Sequence, residues 1–323
     1  MSLSLSDIQA AAERIRGRAV RTPLLEAHGA SAATGARVLI KPEVLQRTGS
    51  FKFRGAMSRL ALLTADERKR GVVAFSSGNH AQAVAAAARD IGTNAVIVMP
   101  ADAPKLKIVN TRGYGAEVVL YDRIKEDRVA IGKKLAAERG LVLVPPFDDF
   151  YVMAGQGTVG LELAEDTKAI GMTLDAVLIP CSGGGLSAGI ATALAALSPA
   201  TKIYPVEPAH YDDMARSLKA GERLANAAAP LSICDALMVD KPGELTFPIL
   251  KARNAQALAV TDDEALHAMA HAFYELKLVA EPGGAAALAA LLSNKLDARG
   301  KTVAVILSGG NVDADIFKRA LAR

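Results

Sequence analysis

Tryptophan is absent from the 323 residues, and phenylalanine and tyrosine together bring the aromatic share to only 4%. Lys+Arg 38 against Asp+Glu 34 leaves a net charge of +4, with the charges interspersed and no basic block. A nucleic-acid surface would lack both its stacking aromatics and its cationic stripe, so that class is excluded. Cysteine occurs twice, at Cys181 and Cys234, which rules out a disulfide scaffold or a CxxC site and fits a reducing compartment. Long apolar runs are missing too. Residues 176–201 carry no charge, but Pro180, three successive glycines and Pro199 interrupt them, which makes a poor membrane span. Met1 to Arg18 reads as a charged amphipathic helix with Ser6 and Gln9 at capping-box spacing, not as a secretion signal. A cytoplasmic protein is expected.

The 51% apolar and 22% charged residues are those of a folded globular chain, and the length suggests about two compact units. From Gly71 onward short β-branched runs alternate with Ala-rich helical windows. The runs are Val72–Phe75, Ala95–Met99, Glu117–Tyr121 and Leu141–Val144, with windows near 81–91, 104–113 and 126–139. After Pro145-Pro146 the alternation resumes with a helix over about 157–170, strand Ala176–Ile179, helix 187–197 and strand Lys202–Val206. Strand Ala257–Val260, a helix capped by Thr261, a helix near 284–295 and strand Thr302–Leu307 follow. The pattern predicts an α/β fold with two doubly wound, open, parallel-type sheets, the smaller lobe inserted into the larger. The large lobe is expected at 1–52 and 149–323 and the small four-stranded lobe within 53–148. A cleft between such lobes is the expected ligand site. No sequence repeat and no regulatory tail are expected.

Four glycine turns carry the chemistry. Ser182-Gly183-Gly184-Gly185-Leu186 follows an apolar strand and opens a helix, so backbone N–H groups can approach a phosphate at the positive helix end. A plain strand–helix turn rarely needs three glycines. Two other motifs overlap it. Gly183, Gly185 and Ala188 fit a dinucleotide fingerprint with Glu207 as the ribose acid, which makes an NAD-dependent oxidoreductase the competing class. Ser187 fits G-x-S-x-G weakly, because the glycines and not the serine take the turn. Ser76-Ser77-Gly78-Asn79-His80 gathers hydroxyls, an amide, an imidazole and helix N-terminal amides, which suits a carboxylate; simple capping explains only one of these residues. Ser308-Gly309-Gly310-Asn311 ends the last strand, and Thr48-Gly49-Ser50 leads into Phe51-Lys52-Phe53.

Lys52 between two phenylalanines is a candidate desolvated amine, able to form a Schiff base, although a snorkelling surface lysine has the same local sequence. His267 and His271 lack the glutamate of a zinc-protease helix and read as surface residues, and Arg123 to Arg128 reads as a solvated face.

Taken together, these motifs resemble the fold type II pyridoxal-phosphate enzymes, tryptophan synthase β-like in fold, and within them the serine/threonine dehydratase and serine racemase group. Thr48 to Ala56 matches the cofactor-lysine motif, Ser76 to His80 the substrate-carboxylate loop, and Ser182 to Leu186 the phosphate loop. The resemblance implies that pyridoxal phosphate is held on Lys52, beside Phe51, Asn79, Glu281 and Ser308, with Lys52 as general base. It implies β-elimination from a small hydroxy amino acid such as L-threonine, L-serine or 3-hydroxyaspartate, yielding a 2-oxo acid and ammonia. It also implies a second acid–base role for Ser77 in racemisation, a structural Mg²⁺ or Ca²⁺ at Glu207, Asp213 and the Tyr211 carbonyl, and a homodimer or higher homo-oligomer. One departure is Cys234-Asp235-Ala236, where relatives carry Ala-Asp-Gly near the substrate. A non-catalytic amino-acid binder would have no use for the flanked lysine.

Overall fold

The structure is a computed structural model that describes residues 3–76, 78–103, 105–227 and 230–323. Ten strands form two sheets. The first contains β1 (Leu25–Glu26), β2 (Arg37–Pro42), β7 (Ala176–Pro180), β8 (Lys202–Pro208), β9 (Leu258–Val260) and β10 (Thr302–Leu307). Its order is β1-β2-β10-β7-β8-β9, all parallel except the β1–β2 pair. The second contains β3 (Val72–Phe75), β4 (Ala95–Pro100), β5 (Glu117–Tyr121) and β6 (Val142–Leu143) in the parallel order β5-β4-β3-β6.

Helices cover both faces of each sheet, which is why the central strands read as unbroken apolar runs. Along β10, Val303, Val305 and Leu307 enter one core while Ala304 and Ile306 enter the other. In β3 and β4, Val72, Ala74, Ile97 and Met99 face one core and Val73, Val96 and Val98 the opposite one. The two-residue period thus splits each run between two layers.

The helix Phe150–Ala169 packs across the helices Lys52–Leu60 and Gly185–Leu197. Close approach is set by small residues: a Cβ on Gly189 would meet the Gly157 backbone at 2.6 Å. The Lys52 helix is also pinned by charge. Buried Arg54 bonds Glu43 at 2.8 and 2.9 Å and Glu162 at 2.6 and 2.9 Å, and adds Thr158 and the Val20 carbonyl. Every nitrogen of the guanidinium is used, the condition under which a buried ion pair is tolerated.

Three expectations are corrected. The first helix is Leu5–Ile15, capped by Ser4 with Asp7 in a capping box, not by Ser6 with Gln9. An Asp at N3 serves the same reciprocal bonding as Glu or Gln, and it places the apolar residues Ile8, Ala11 and Ile15 inward. The helix expected at 157 begins at Phe150, because Asp149 accepts from the Tyr151 and Val152 amides. Strands β1 and β2 precede the alternating region from which the sheets were read.

Candidate functional site

The turns expected to carry chemistry lie at the carboxyl ends of strands: Ser76 after β3, Ser182 after β7 and Ser308 after β10. They converge on one cleft of about 1020 Å³, including its open mouth, lined by Phe51, Lys52, Ser76, Gly78–His80, Ser182–Leu186, Glu281 and Ser308. Ser77 lies outside the described residues.

Lys52 opens its helix, and its Nζ donates to the Pro146 carbonyl at 2.5 Å. The Phe51 ring centroid is 5.1 Å from Nζ, whereas Phe53 turns into the core beneath β3 and β4, under Arg47. Successive helical residues point about 100° apart, so only one of the two flanking rings reaches the cleft. Burial, with no carboxylate to offset it, lowers the Lys52 ammonium to about 8.

The glycine loop has little room for side chains on its inner side. A Cβ on Gly183 would lie 2.3 Å from the Phe147 ring, and Gly184 has φ 93, a left-handed value. The loop is braced from behind by Thr246, whose Oγ donates to the Gly183 carbonyl at 2.6 Å, and by the Gly243 amide at 3.1 Å. Thr246 carried no sequence signal. Gln156 likewise escaped notice: fully buried, it fills the slot between Gly55 and Gly185, where Cβ atoms would lie 3.1 and 2.6 Å from its side chain.

Across the cleft, Asn79 is fixed by a network from four loops. Its Oδ1 accepts from Asn311 Nδ2 at 2.7 Å, its Nδ2 donates to Glu281 Oε1, and Asn311 also donates to the Thr48 carbonyl at 2.8 Å. Glu281 is buried and pushed up to about 7, chiefly by desolvation, with the nearby Lys107 ammonium opposing that shift. His80 is buried with Nε2 2.9 Å from the Val144 carbonyl, so Nε2 carries the proton. Burial, then the Lys52 charge, lowers His80 to about 3. The imidazole is therefore neutral and brings no positive charge to a carboxylate.

The competing motifs fall away. Glu207 is fully buried and its two oxygens accept from the Met214 and Ala215 amides at 2.9 Å, leaving no reach to a ribose. Ser187 is buried inside the helix Gly185–Leu197, as expected for a residue beyond the turn. Arg123–Arg128 is exposed, yet Arg128 also lines the cleft mouth.

Glu207, near the end of β8, and Asp213, at the start of the following helix, sit together. Desolvation first, then Asp213, raises Glu207 well above the carboxylate range, while burial raises Asp213 to about 7. Asp213 Oδ1 accepts from Asn226 at 2.7 Å, and Oδ2 is buried without a partner. Among the described residues no cluster of three or more His, Cys, Asp or Glu side chains is placed to hold an ion, so side chains alone do not complete the expected metal site.

A family model described as "Pyridoxal-phosphate dependent enzyme" matches residues 15–309. The chain belongs to the pyridoxal-phosphate dependent enzymes. A Pseudomonas sp L-threo-3-hydroxyaspartate ammonia-lyase is 46% identical over 318 residues, covering 98% of each chain. A serine racemase of Schizosaccharomyces pombe is 38% identical over 317 residues, covering 98% of this chain and 97% of that one. The crystal structure of a T.th. threonine deaminase superposes with a TM-score of 0.90 at 46% identity, covering 96% of this chain and 99% of that one. The matches span nearly the whole chain, and the superposition shows that the fold is shared. No described helix is long and apolar enough to cross a membrane. The enzyme's glycine loop, desolvated lysine and strand-end serine fit the phosphate, aldehyde and ring of pyridoxal phosphate respectively.

Proposed function

We propose that this enzyme is an ammonia-lyase acting on a small β-hydroxy amino acid, L-threonine, L-serine or L-threo-3-hydroxyaspartate. The observation that carries the reading is Lys52, an amine lowered to about 8 between the glycine loop and the Ser76–His80 turn. At that value about one lysine in ten is neutral at pH 7, against fewer than one in a thousand for an exposed side chain. The names of the Pseudomonas lyase and the T.th. deaminase support the reaction type.

Pyridoxal phosphate, when bound, supplies the electron sink that makes a Cα–H bond acidic. In this reading Lys52 and Phe51 hold it on one side, Asn79, Glu281 and Ser308 border its ring, and Ser182, Gly183, Gly184, Gly185 and Leu186 receive its phosphate. The Ser76–His80 turn seats the substrate carboxylate at the start of the helix Asn79–Ile91. Neutral Lys52 takes the Cα proton. The electron pair left on Cα forms the Cα=Cβ bond as the Cβ–O bond breaks, and the hydroxyl leaves as water with a proton equivalent to the one Lys52 removed, which returns the lysine to its neutral form. The enamine product tautomerises, and a second water hydrolyses it to the 2-oxo acid and ammonia. Ser308 is uncharged and would supply no carboxylate to hold a proton on the ring nitrogen, which keeps the ring a modest electron sink and favours prompt elimination.

Ser77 is proposed as a second acid–base group on the opposite face, giving a minor racemase activity in keeping with the Schizosaccharomyces pombe relative. Mg²⁺ or Ca²⁺ is proposed at Glu207, Asp213 and the Tyr211 carbonyl, because two neighbouring buried carboxylates, both held above their usual range, invite a cation. A homodimer or higher homo-oligomer in the cytoplasm is proposed with them. The test is separate measurement of oxo acid, ammonia and D-amino acid from the three candidate substrates. Equal oxo acid and ammonia support the lyase reading; release of neither overturns it. D-Serine that disappears in Ser77→Ala supports the second base, and D-serine that persists there refutes it.

A further inference from the structure

The Ser76–His80 turn is assigned a substrate carboxylate, yet its one ionisable side chain, His80, is neutral. A charged partner comes from elsewhere. Lys107, on the helix Lys105–Gly113, is 7% exposed and lines the cleft. A Cβ built on Gly78 would lie 3.6 Å from Lys107 Nζ, so the ammonium sits directly against the turn. Its Nζ reaches across the cleft to Asp235 Oδ2 at 2.8 Å, and among the described residues this is its one hydrogen bond. An ammonium has three N–H donors, so the described residues leave two for another acceptor. Asp235 and Glu281, and more weakly Asp313, hold the lysine charged against its burial.

A buried ammonium with spare donors, beside the amino end of the helix Asn79–Ile91, is the arrangement that a carboxylate completes. We propose that Lys107 is the charged element of the substrate-carboxylate site, and that Asp235 moderates its pull. This rests on the carboxylate role of the Ser76–His80 turn. The substrate carboxylate would lie between the turn and Nζ, with Asp235 drawing part of the ammonium charge away.

The two partners of the pair then act in opposite directions. Lys107→Gln removes the positive charge and raises KM, by roughly 10- to 100-fold for a charge-assisted hydrogen bond. Asp235→Asn keeps an oxygen to orient Nζ but removes the competing charge, and lowers KM. A simple clasp would raise KM in both. The measurements use the holoenzyme and whichever of L-serine, L-threonine and L-threo-3-hydroxyaspartate the wild type turns over fastest. Ethanolamine, which keeps the amine and hydroxyl of serine but lacks its carboxylate, serves as a competing probe.

The expected result is a large KM increase in Lys107→Gln with kcat changed by less than about threefold. Inhibition by ethanolamine should be unchanged, Lys107→Arg should restore part of the loss, and Asp235→Asn should shift KM the other way. Cofactor absorbance and melting temperature report whether each variant is folded; if Lys107→Gln is not, the opposite shifts of Lys107→Arg and Asp235→Asn carry the test. KM moving in the same direction in all variants, or ethanolamine weakening in step with substrate, would overturn the assignment. Wild-type enzyme releasing no oxo acid would overturn the parent reading and this one with it, an outcome distinct from normal wild-type turnover with an unmoved Lys107→Gln KM.

Discussion

Replacing Lys52 by Met should remove activity and stabilise the cofactor-free enzyme. The ammonium is lowered from 10.5 to about 8 by burial, with no carboxylate to repay the loss of water. At pH 7 that difference destabilises the fold by about 3 kcal/mol relative to a lysine that keeps its usual value. The bond to Pro146 returns about 1 kcal/mol. Methionine keeps most of the apolar stem, so Lys52→Met should gain about 2 kcal/mol, a rise of about 3 °C in melting temperature for a chain of this size. The folded-state value lies below the unfolded one, so the unfolded chain binds more protons between about pH 8 and 10.5, and wild-type stability rises across that window. The gap between variant and wild type should therefore be full at about pH 7, shrink above about pH 8 and close before pH 10.5, because the wild type keeps its bond to Pro146. Thermal melts of the cofactor-free proteins at about pH 7, 8.5 and 10 measure it. A Lys52→Met protein no more stable than wild type at neutral pH, or a gap indifferent to pH, would refute the desolvated amine on which the proposed chemistry depends.

Gly183→Ala drives a methyl into the Phe147 ring at 2.3 Å and should weaken pyridoxal-phosphate binding at least tenfold, read by absorbance titration, with a stability loss of about 1–3 kcal/mol. Chelator treatment should lower the melting temperature of wild type but not of Glu207→Gln; a wild type indifferent to chelator would count against the proposed cation.

The cleft was legible because its parts are local. A strand, a glycine turn and a helix start are contiguous in sequence, and β7, β10 and the Ser76–His80 turn fall where periodicity and glycines placed them. What escaped is set by residues distant in sequence. Thr246 braces Gly183 from 63 positions away, and Lys107 meets Asp235 across 128. Gln156 looks like any polar residue in a helix until Gly55 and Gly185 are seen to make room for it. Ser4 and Ser6 both precede the apolar stripe of the first helix, and only the packing of Ile8 and Ile15 decides for Ser4 as its cap. Adjacency in sequence puts Phe53 beside the lysine; the helical turn sends it into the core instead.

The central claim is that Lys52 is the amine that carries the cofactor. Reduction of the purified yellow holoenzyme with borohydride, followed by peptide mass spectrometry, tests it most directly. The account predicts bleaching of the visible band and a phosphopyridoxyl group on the peptide containing Lys52, with no label in Lys52→Met. A label on another lysine, or a colourless protein that takes none, would contradict it.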